Sequence, residues 1–179
     1  MHNQLYKNGP VAVVVGLSIT GLGIIRSLAR FGIRTIALDS NPYRPTAQTK
    51  YCEKVHYADI NKEDKLIETL IAISEMNKTK PVLFFSTDNS VLIASENREV
   101  LADYYHFNLP SRSVVRIFMD KALFGDFAGK NGFQIPETLV ANNFDDIRSV
   151  AKNVQYPCVI KPSLRTPTWD KTNPDKAFK

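Results

Sequence analysis

The apolar run Val11–Gly16, which leads into the turn of "VVVGLSITGLG" (Val13–Gly23), constrains the fold more than any other segment. An unbroken apolar run rich in β-branched residues is typical of a parallel strand that is covered on both faces. Gly21–Phe31 then has apolar residues at helical spacing, and Gly32 follows as a C-cap. This stretch therefore predicts a buried strand, a glycine-containing turn and a helix.

The same alternation continues as far as Leu109. The pattern predicts further strands at Arg34–Asp39, Val55–Tyr57 and Pro81–Phe85, and helices at Lys62–Met76 and about 90–104. Alternating strands and helices predict an α/β fold with a doubly wound, mostly parallel sheet and right-handed crossovers. Ligands bind such sheets beyond the carboxyl ends of the strands. The loops expected there are Gly16–Gly23, Asp39–Lys54 and Ser86–Ser90.

The character of the chain changes near Arg112, where we place a domain boundary between residues 1–112 and 113–179. The second region predicts a helix that is capped by Ser111 or Ser113 and ends at Met119, helices at Asp120–Asn131 and Phe144–Asn153, and a strand in "YPCVIKP" (Tyr156–Pro162). This region is too short for a complete domain. We therefore expect a partial α+β subdomain and a chain that is a fragment of a longer protein.

Composition excludes several classes of protein. The two cysteines, Cys52 and Cys158, are too few for a disulfide scaffold and lack metal-ligand spacing, so reduced thiols are the simplest interpretation. The amino terminus does not resemble a signal peptide, and no apolar run is long enough to span a membrane, which predicts a cytoplasmic protein. The net charge is +5, but the lysines form no dense run interleaved with aromatic residues, which argues against nucleic acid as a partner.

The opening turn departs from the dinucleotide fingerprint Gly-x-Gly-x-x-Gly. Ser18 stands where the middle glycine lets the backbone approach a pyrophosphate. Asp39, placed where a ribose-binding acid is expected, keeps an NAD(P)-binding oxidoreductase open as an alternative. A helix N-terminus with small hydroxyls also suits another anion. A purely structural turn, in which Gly23 permits close helix–sheet packing, is the remaining alternative.

Two lysines of the second region lie at positions that could present a cation to phosphate. Lys121 lies in the first turn of its predicted helix, and Lys161 ends the predicted strand. Each lysine alone is most simply a surface residue. More specific is the ordered series of Asp-Lys, a helix, "GFQIPET", a second helix and "YPCVIKP".

That ordered series resembles the entry into the ATP-binding subdomain of the ATP-grasp superfamily. The preceding region resembles the pre-ATP-grasp domain of these ligases. Within the superfamily, "GLSITGLGIIRSLARFGI", "TKYCEKV" and "FFSTDNSVLIAS" are most similar to carbamoyl-phosphate-synthase-like proteins and carboxylate–amine ligases. The resemblance implies an enzyme that activates a carboxylate as an acyl phosphate with Mg-ATP, after which an amine or a similar nucleophile such as a thiol attacks.

The resemblance also implies roles for individual residues. The positions that match nucleotide-binding lysines are Lys121, Lys161 and, after a glycine-poor loop, Lys176. The positions that match loops bordering the carboxylate or amine substrate are Gly16, Ser18, Thr20, Gly21 and Asp88. Asp88 would hold a cationic amine, and its alternative role is a helix N-cap.

No metal site is predicted within the chain. The acidic and amide residues that bind magnesium in the family are expected beyond Lys179, so the fragment alone is predicted to be inactive. The expected cofactors are ATP and Mg²⁺, and the expected partners are ATP and a small carboxylate or amine substrate, while a homodimer is left open. A third hypothesis is a non-catalytic module that binds a small acid or a partner chain.

Overall fold

Four parallel strands form one sheet in the computed structural model, which describes residues 9–164 and Trp169. The strands are β1 (Ala12–Val15), β2 (Thr35–Asp39), β3 (Lys54–Tyr57) and β4 (Val82–Phe85). Their order across the sheet is β3-β2-β1-β4, and each neighbouring pair is parallel. This order is that of a mononucleotide-binding half of a doubly wound fold, which confirms the predicted fold class.

The helices of the first unit are α1 (Ile19–Arg30), α2 (Glu63–Glu75), α3 (Asp88–Glu96) and α4 (Arg98–Tyr104). The single helix predicted over about 90–104 is therefore two helices. The break is at Asn97, whose side-chain Nδ2 donates to Ile93 O at 3.0 Å and to Glu63 Oε1 at 2.7 Å. An asparagine that bonds locally competes with the helical backbone, which explains why the helix is interrupted there.

The core occupies both faces of the sheet. Successive residues of a strand point to opposite faces, and β1 is buried along its whole length. Val13 and Val15 pack in a cluster that includes Leu66 of α2. Val14 packs in a second cluster with Ile25 of α1. Helices therefore cover both faces of the sheet, and the loops at its carboxyl edge are held on a buried scaffold.

The chain divides into two compact units between Arg112 and Ser113. Helix α5 (Arg112–Met119) begins at the last residue of the first unit, and α6 (Lys121–Lys130) and α7 (Phe144–Asn153) lie in the second unit. The strand predicted over Tyr156–Pro162 is reduced to a single bridge residue, Ile160. Ile160 is 60% exposed, and no strand of the second unit that could extend a ladder lies within the described residues. Lys161 consequently does not follow a full strand.

Candidate functional site

The loop between β1 and α1 is built on Gly16 and Ser18. Gly16 has a φ of +90°, and its N–H donates to Leu38 O of the neighbouring strand at 2.7 Å. Ser18 is the N-cap of α1, and its hydroxyl accepts from the Gly21 N–H at 3.4 Å. Ser18 is half-buried and Thr20 is exposed. The hydroxyl at position 18 thus serves the helix terminus, and Thr20 lies on the surface of the first turn.

Gly21 brings α1 against the turn. A Cβ at this position would lie 1.9 Å from Gly16 O, which is far inside van der Waals contact. A Cβ at Gly23 would meet no atom within 4 Å. The prediction that Gly23 permits close packing of the helix is therefore wrong. Gly21 is the glycine that permits it.

Asp39 ties this loop to the loop after β2. Its Oδ2 accepts from the Leu17 N–H at 2.6 Å, and its Oδ1 accepts from the Asn41 N–H at 2.7 Å. Arg44 Nε lies 3.1 Å from Oδ1, and the hydroxyl of Thr46 donates to Leu17 O. Asp39 is 2% exposed, so its carboxylate is buried and both oxygens are committed to protein groups. Asp39 is therefore not available to bind a ribose, and the alternative of an NAD(P)-binding oxidoreductase is not favoured.

The loop after β4 is bonded to the first loop through Ser86. The Ser86 hydroxyl lies within hydrogen-bonding distance of Gly16 O at 2.8 Å and Val15 O at 3.0 Å. Thr87 is the N-cap of α3, and its side chain accepts from the Ser90 N–H. The N-cap alternative for Asp88 was therefore wrong, since Asp88 is the first helical residue.

The carboxylate of Asp88 is exposed and makes no hydrogen bond or ion pair with the part of the chain that the structure describes. β1 and β4 are parallel neighbours in the sheet, so the helices that follow them, α1 and α3, both begin at its carboxyl edge. The arrangement combines two helix N-termini, which favour an anion, with a free carboxylate, which favours a cation. These are the chemical preferences needed to hold a substrate that carries both charges.

The second unit has a polar cluster at the N-terminus of α6. Asp120 is the N-cap and accepts from the N–H groups of Ala122 at 2.8 Å and Leu123 at 3.1 Å. The Ser163 hydroxyl donates to the Asp120 carboxylate, and Ser163 O accepts from the Lys121 backbone N–H at 3.0 Å and lies 3.4 Å from its Nζ.

Ser163 follows Lys161 by two positions, so these contacts bring the Lys161 segment to the first turn of α6. Lys121 and Lys161 are both exposed, and their segments therefore meet although the predicted strand does not form. Sequence reasoning missed Asp120 and Ser163. The Asp-Lys pair at the start of a predicted helix could have indicated Asp120 as a capping residue. No local pattern indicated Ser163.

The hydrogen bond from Ser163 lowers the pKa of Asp120, with a further contribution from the Leu123 N–H. A lowered pKa in the folded chain means that this stabilisation is present above the unfolded pKa and is lost as the pH falls through the folded pKa. We expect Ser163→Ala to raise the pKa of Asp120 towards its ordinary value. The pKa of Asp120 is measured from the pH dependence of the NMR chemical shifts of the Ala122 and Leu123 amides. An unchanged midpoint in the variant would show that Ser163 is not the main cause.

Lys176 lies outside the described residues. Among the residues that the structure describes, no group of three or more His, Cys, Asp or Glu side chains could hold a metal ion. None of the described helices is long and apolar enough to cross a membrane.

Known proteins resemble this chain over most of its length, although no protein-family model matches it. Carbamoyl phosphate synthase large chain from Pseudarthrobacter chlorophenolicus is 23% identical over 161 residues, which covers 88% of this chain. Formate-dependent phosphoribosylglycinamide formyltransferase from Methanococcus maripaludis is 26% identical over 161 residues, which covers 89% of this chain. The chain spans 14% of the length of the first relative and 39% of the second.

A solved structure shows the same fold. N5-carboxyaminoimidazole synthetase from Staphylococcus aureus, in complex with ADP, superposes with a TM-score of 0.64 at 14% identity. The match covers 93% of this chain and 40% of that protein. Together, the sequence similarity and the shared fold show that the chain is a relative of the ATP-grasp carboxylate–amine ligases and has the fold of their N-terminal part.

Proposed function

We propose that the chain is the N-terminal part of an ATP-dependent ligase that joins a carboxylate to an amine or a thiol through an acyl phosphate. The observation that carries this proposal is the similarity to carboxylate–amine ligases over 161 residues. An alignment of that length includes residues of both units, so it extends beyond the opening strand–turn–helix.

In this proposal Lys121 and Lys161 bind the phosphates of ATP. The support is geometric, because the Ser163 contacts bring the Lys161 segment to the N-terminus of α6, where Lys121 lies. A lysine ammonium is a compact positive charge that can be presented to phosphate. Positive charge at this place stabilises the negative charge of a phosphoryl group in transfer. Lys176 is proposed as a third nucleotide-facing lysine from the resemblance alone.

Magnesium would supply further charge neutralisation on the phosphates when bound. The described residues offer no carboxylate cluster for it, so they do not fit as its site. We propose that the ligands of the metal lie outside the described residues.

The small substrate is proposed to bind at the carboxyl edge of the sheet. Ser18, Thr20 and the backbone of Gly16 and Gly21 would form the wall that faces the substrate carboxylate at the start of α1. Asp88 would hold a cationic amine, since its carboxylate is exposed and has no partner among the described residues. Asp39 and Ser86 would act as positioning residues, because they fix the loops and make their contacts with protein groups.

We expect Lys121→Ala combined with Lys161→Ala to weaken the binding of ADP to the full-length protein by at least about tenfold. A hydrogen bond to a charged group contributes roughly 1.5–3 kcal/mol, and about 1.4 kcal/mol corresponds to tenfold in affinity. Titration with a fluorescent ADP analogue measures the dissociation constant.

The matched control is Lys130→Ala with Lys152→Ala, which removes two exposed lysines from the same unit. It should leave ADP binding within about twofold, because exposed charges at a distance are screened by salt. Asp88→Asn should also leave ADP binding unchanged, since Asp88 is assigned to the other substrate. Equal affinity in the Lys121/Lys161 variant and the native protein would contradict the nucleotide site.

A further inference from the structure

A groove lies against the second half of α1. It is lined by Arg26, Ala29, Arg30 and Tyr51 and has a volume of about 480 Å³. Small-molecule sites commonly have volumes of roughly 300–1,000 Å³. The groove is therefore large enough to admit a small ligand, and none of the residues proposed above to bind nucleotide or substrate lines it.

The groove is at the other edge of the sheet from the substrate loops. α1 begins next to the carboxyl end of β1 and runs back along the sheet, so Arg30 lies about 18 Å along the helix from Ser18 at 1.5 Å per residue. Tyr51 precedes β3, which is parallel to the other strands, and so it lies at their amino-terminal edge. A ligand in the groove would not compete directly with one at the carboxyl edge.

Two cations line the groove without carboxylate partners, and a third, Lys50, contacts the Tyr51 ring. Arg26, Arg30 and Lys50 are exposed, and none forms an ion pair with a described residue. Arg34 is different, since its guanidinium bonds Glu53 at 2.7 and 3.0 Å. The helix dipole stabilises a cation in the last turn of α1, which explains the presence of Arg30 without an acidic partner. It does not explain the presence of Arg26 or Lys50.

Tyr51 holds two of these cations in place without neutralising them. The Arg26 guanidinium carbon and Lys50 Nζ each lie 5.8 Å from the centre of the Tyr51 ring. Cations within about 6 Å of an aromatic ring are attracted by its negative face. Such contacts favour side-chain positions next to the ring, which would reduce the entropy lost on binding a ligand.

We propose that this groove is a binding site for a small anion that carries two or more negative charges on phosphate. Arg26 and Arg30 are four positions apart on one helix and therefore share a face. Two guanidinium groups on one face can donate paired hydrogen bonds to phosphate oxygens. Lys50, which contacts the Tyr51 ring, adds a third positive charge near the groove. Its residues are not those proposed above for the substrate or the nucleotide.

Pyrophosphate is the probe for this site. We expect its addition to the ¹⁵N-labelled chain to shift the amide resonances of Arg26, Ala29, Arg30 and Tyr51. Arg26→Ala combined with Arg30→Ala should weaken binding, measured by calorimetric titration, by at least about tenfold, because two charged hydrogen-bonding groups are removed. Both positions are exposed in the helix, and matching thermal unfolding of the variant and the native chain checks that the fold is kept.

The control is Arg148→Ala with Lys152→Ala, which removes the same charge at the same spacing from the exposed surface of α7. It should change pyrophosphate affinity by less than about twofold. Equal losses in the two double variants would overturn the proposal, because the effect would then be one of net charge. Shifts confined to other residues would overturn the location. Citrate that binds more tightly than pyrophosphate would overturn the assignment of phosphate.

Discussion

Gly21→Ala is expected to lower the free energy of unfolding by about 3 kcal/mol or more, at the upper end of the cost of overpacking a tightly packed site. The new Cβ would lie 1.9 Å from Gly16 O and 3.0 Å from Gly16 C. Gly16 cannot move aside easily, because its N–H is bonded to Leu38 O and its carbonyl is in contact with Ser86 Oγ. The clash is therefore with backbone that the sheet holds in place, and either α1 must shift or the loop must open.

Gly23→Ala is the matched control, two residues along the same helix. Its Cβ would meet no atom within 4 Å, and alanine is favoured over glycine in a helix interior by about 1 kcal/mol. We therefore expect this variant to be stabilised, while Gly21→Ala is destabilised. Urea unfolding followed by circular dichroism measures both. Changes of the same sign in the two variants would contradict the close approach of α1 to Gly16.

Asp39→Ala is expected to cost about 3 kcal/mol, chiefly because it leaves the buried N–H of Leu17 without an acceptor, a loss of roughly 1–3 kcal/mol. The N–H of Asn41 also loses its acceptor, at a smaller cost because Asn41 is exposed. Arg44 contributes less to this cost, because its side chain is 46% exposed and can be solvated when its partner is removed.

Glu53→Ala provides the control for losing an acid–arginine pair. The Arg34–Glu53 pair is exposed on both sides, and such pairs contribute about 1 kcal/mol or less. Hydrogen exchange of the Leu17 amide gives a local readout, since only Asp39→Ala should accelerate it. Protection of that amide at the native level in Asp39→Ala would show that another group holds the loop. Loosening this loop should also weaken substrate binding if the carboxyl edge is the substrate site.

Local sequence patterns predicted much of the first unit. The valine run of β1 is buried on both sides, and α1 follows it through the glycine-containing turn as expected. Two local predictions were wrong, each for a different reason. The helix over about 90–104 was broken by the Asn97 side chain, which periodicity does not register. The strand over Tyr156–Pro162 has apolar residues, but a strand also needs a neighbour to bond its backbone, and apolar content alone does not supply one.

The sequence by itself determined the alternation of strands and helices, and the order of the motifs that resemble ATP-grasp ligases. It could do so because burial on one or two faces imposes a period on neighbouring residues. Only the tertiary structure decided that Asp39 is a loop anchor, that Ser163 bonds Asp120 across 43 positions, and that Tyr51 holds Arg26. Each of these roles depends on which distant segments the sheet topology brings together, and a hydrogen bond between them leaves no period in the sequence.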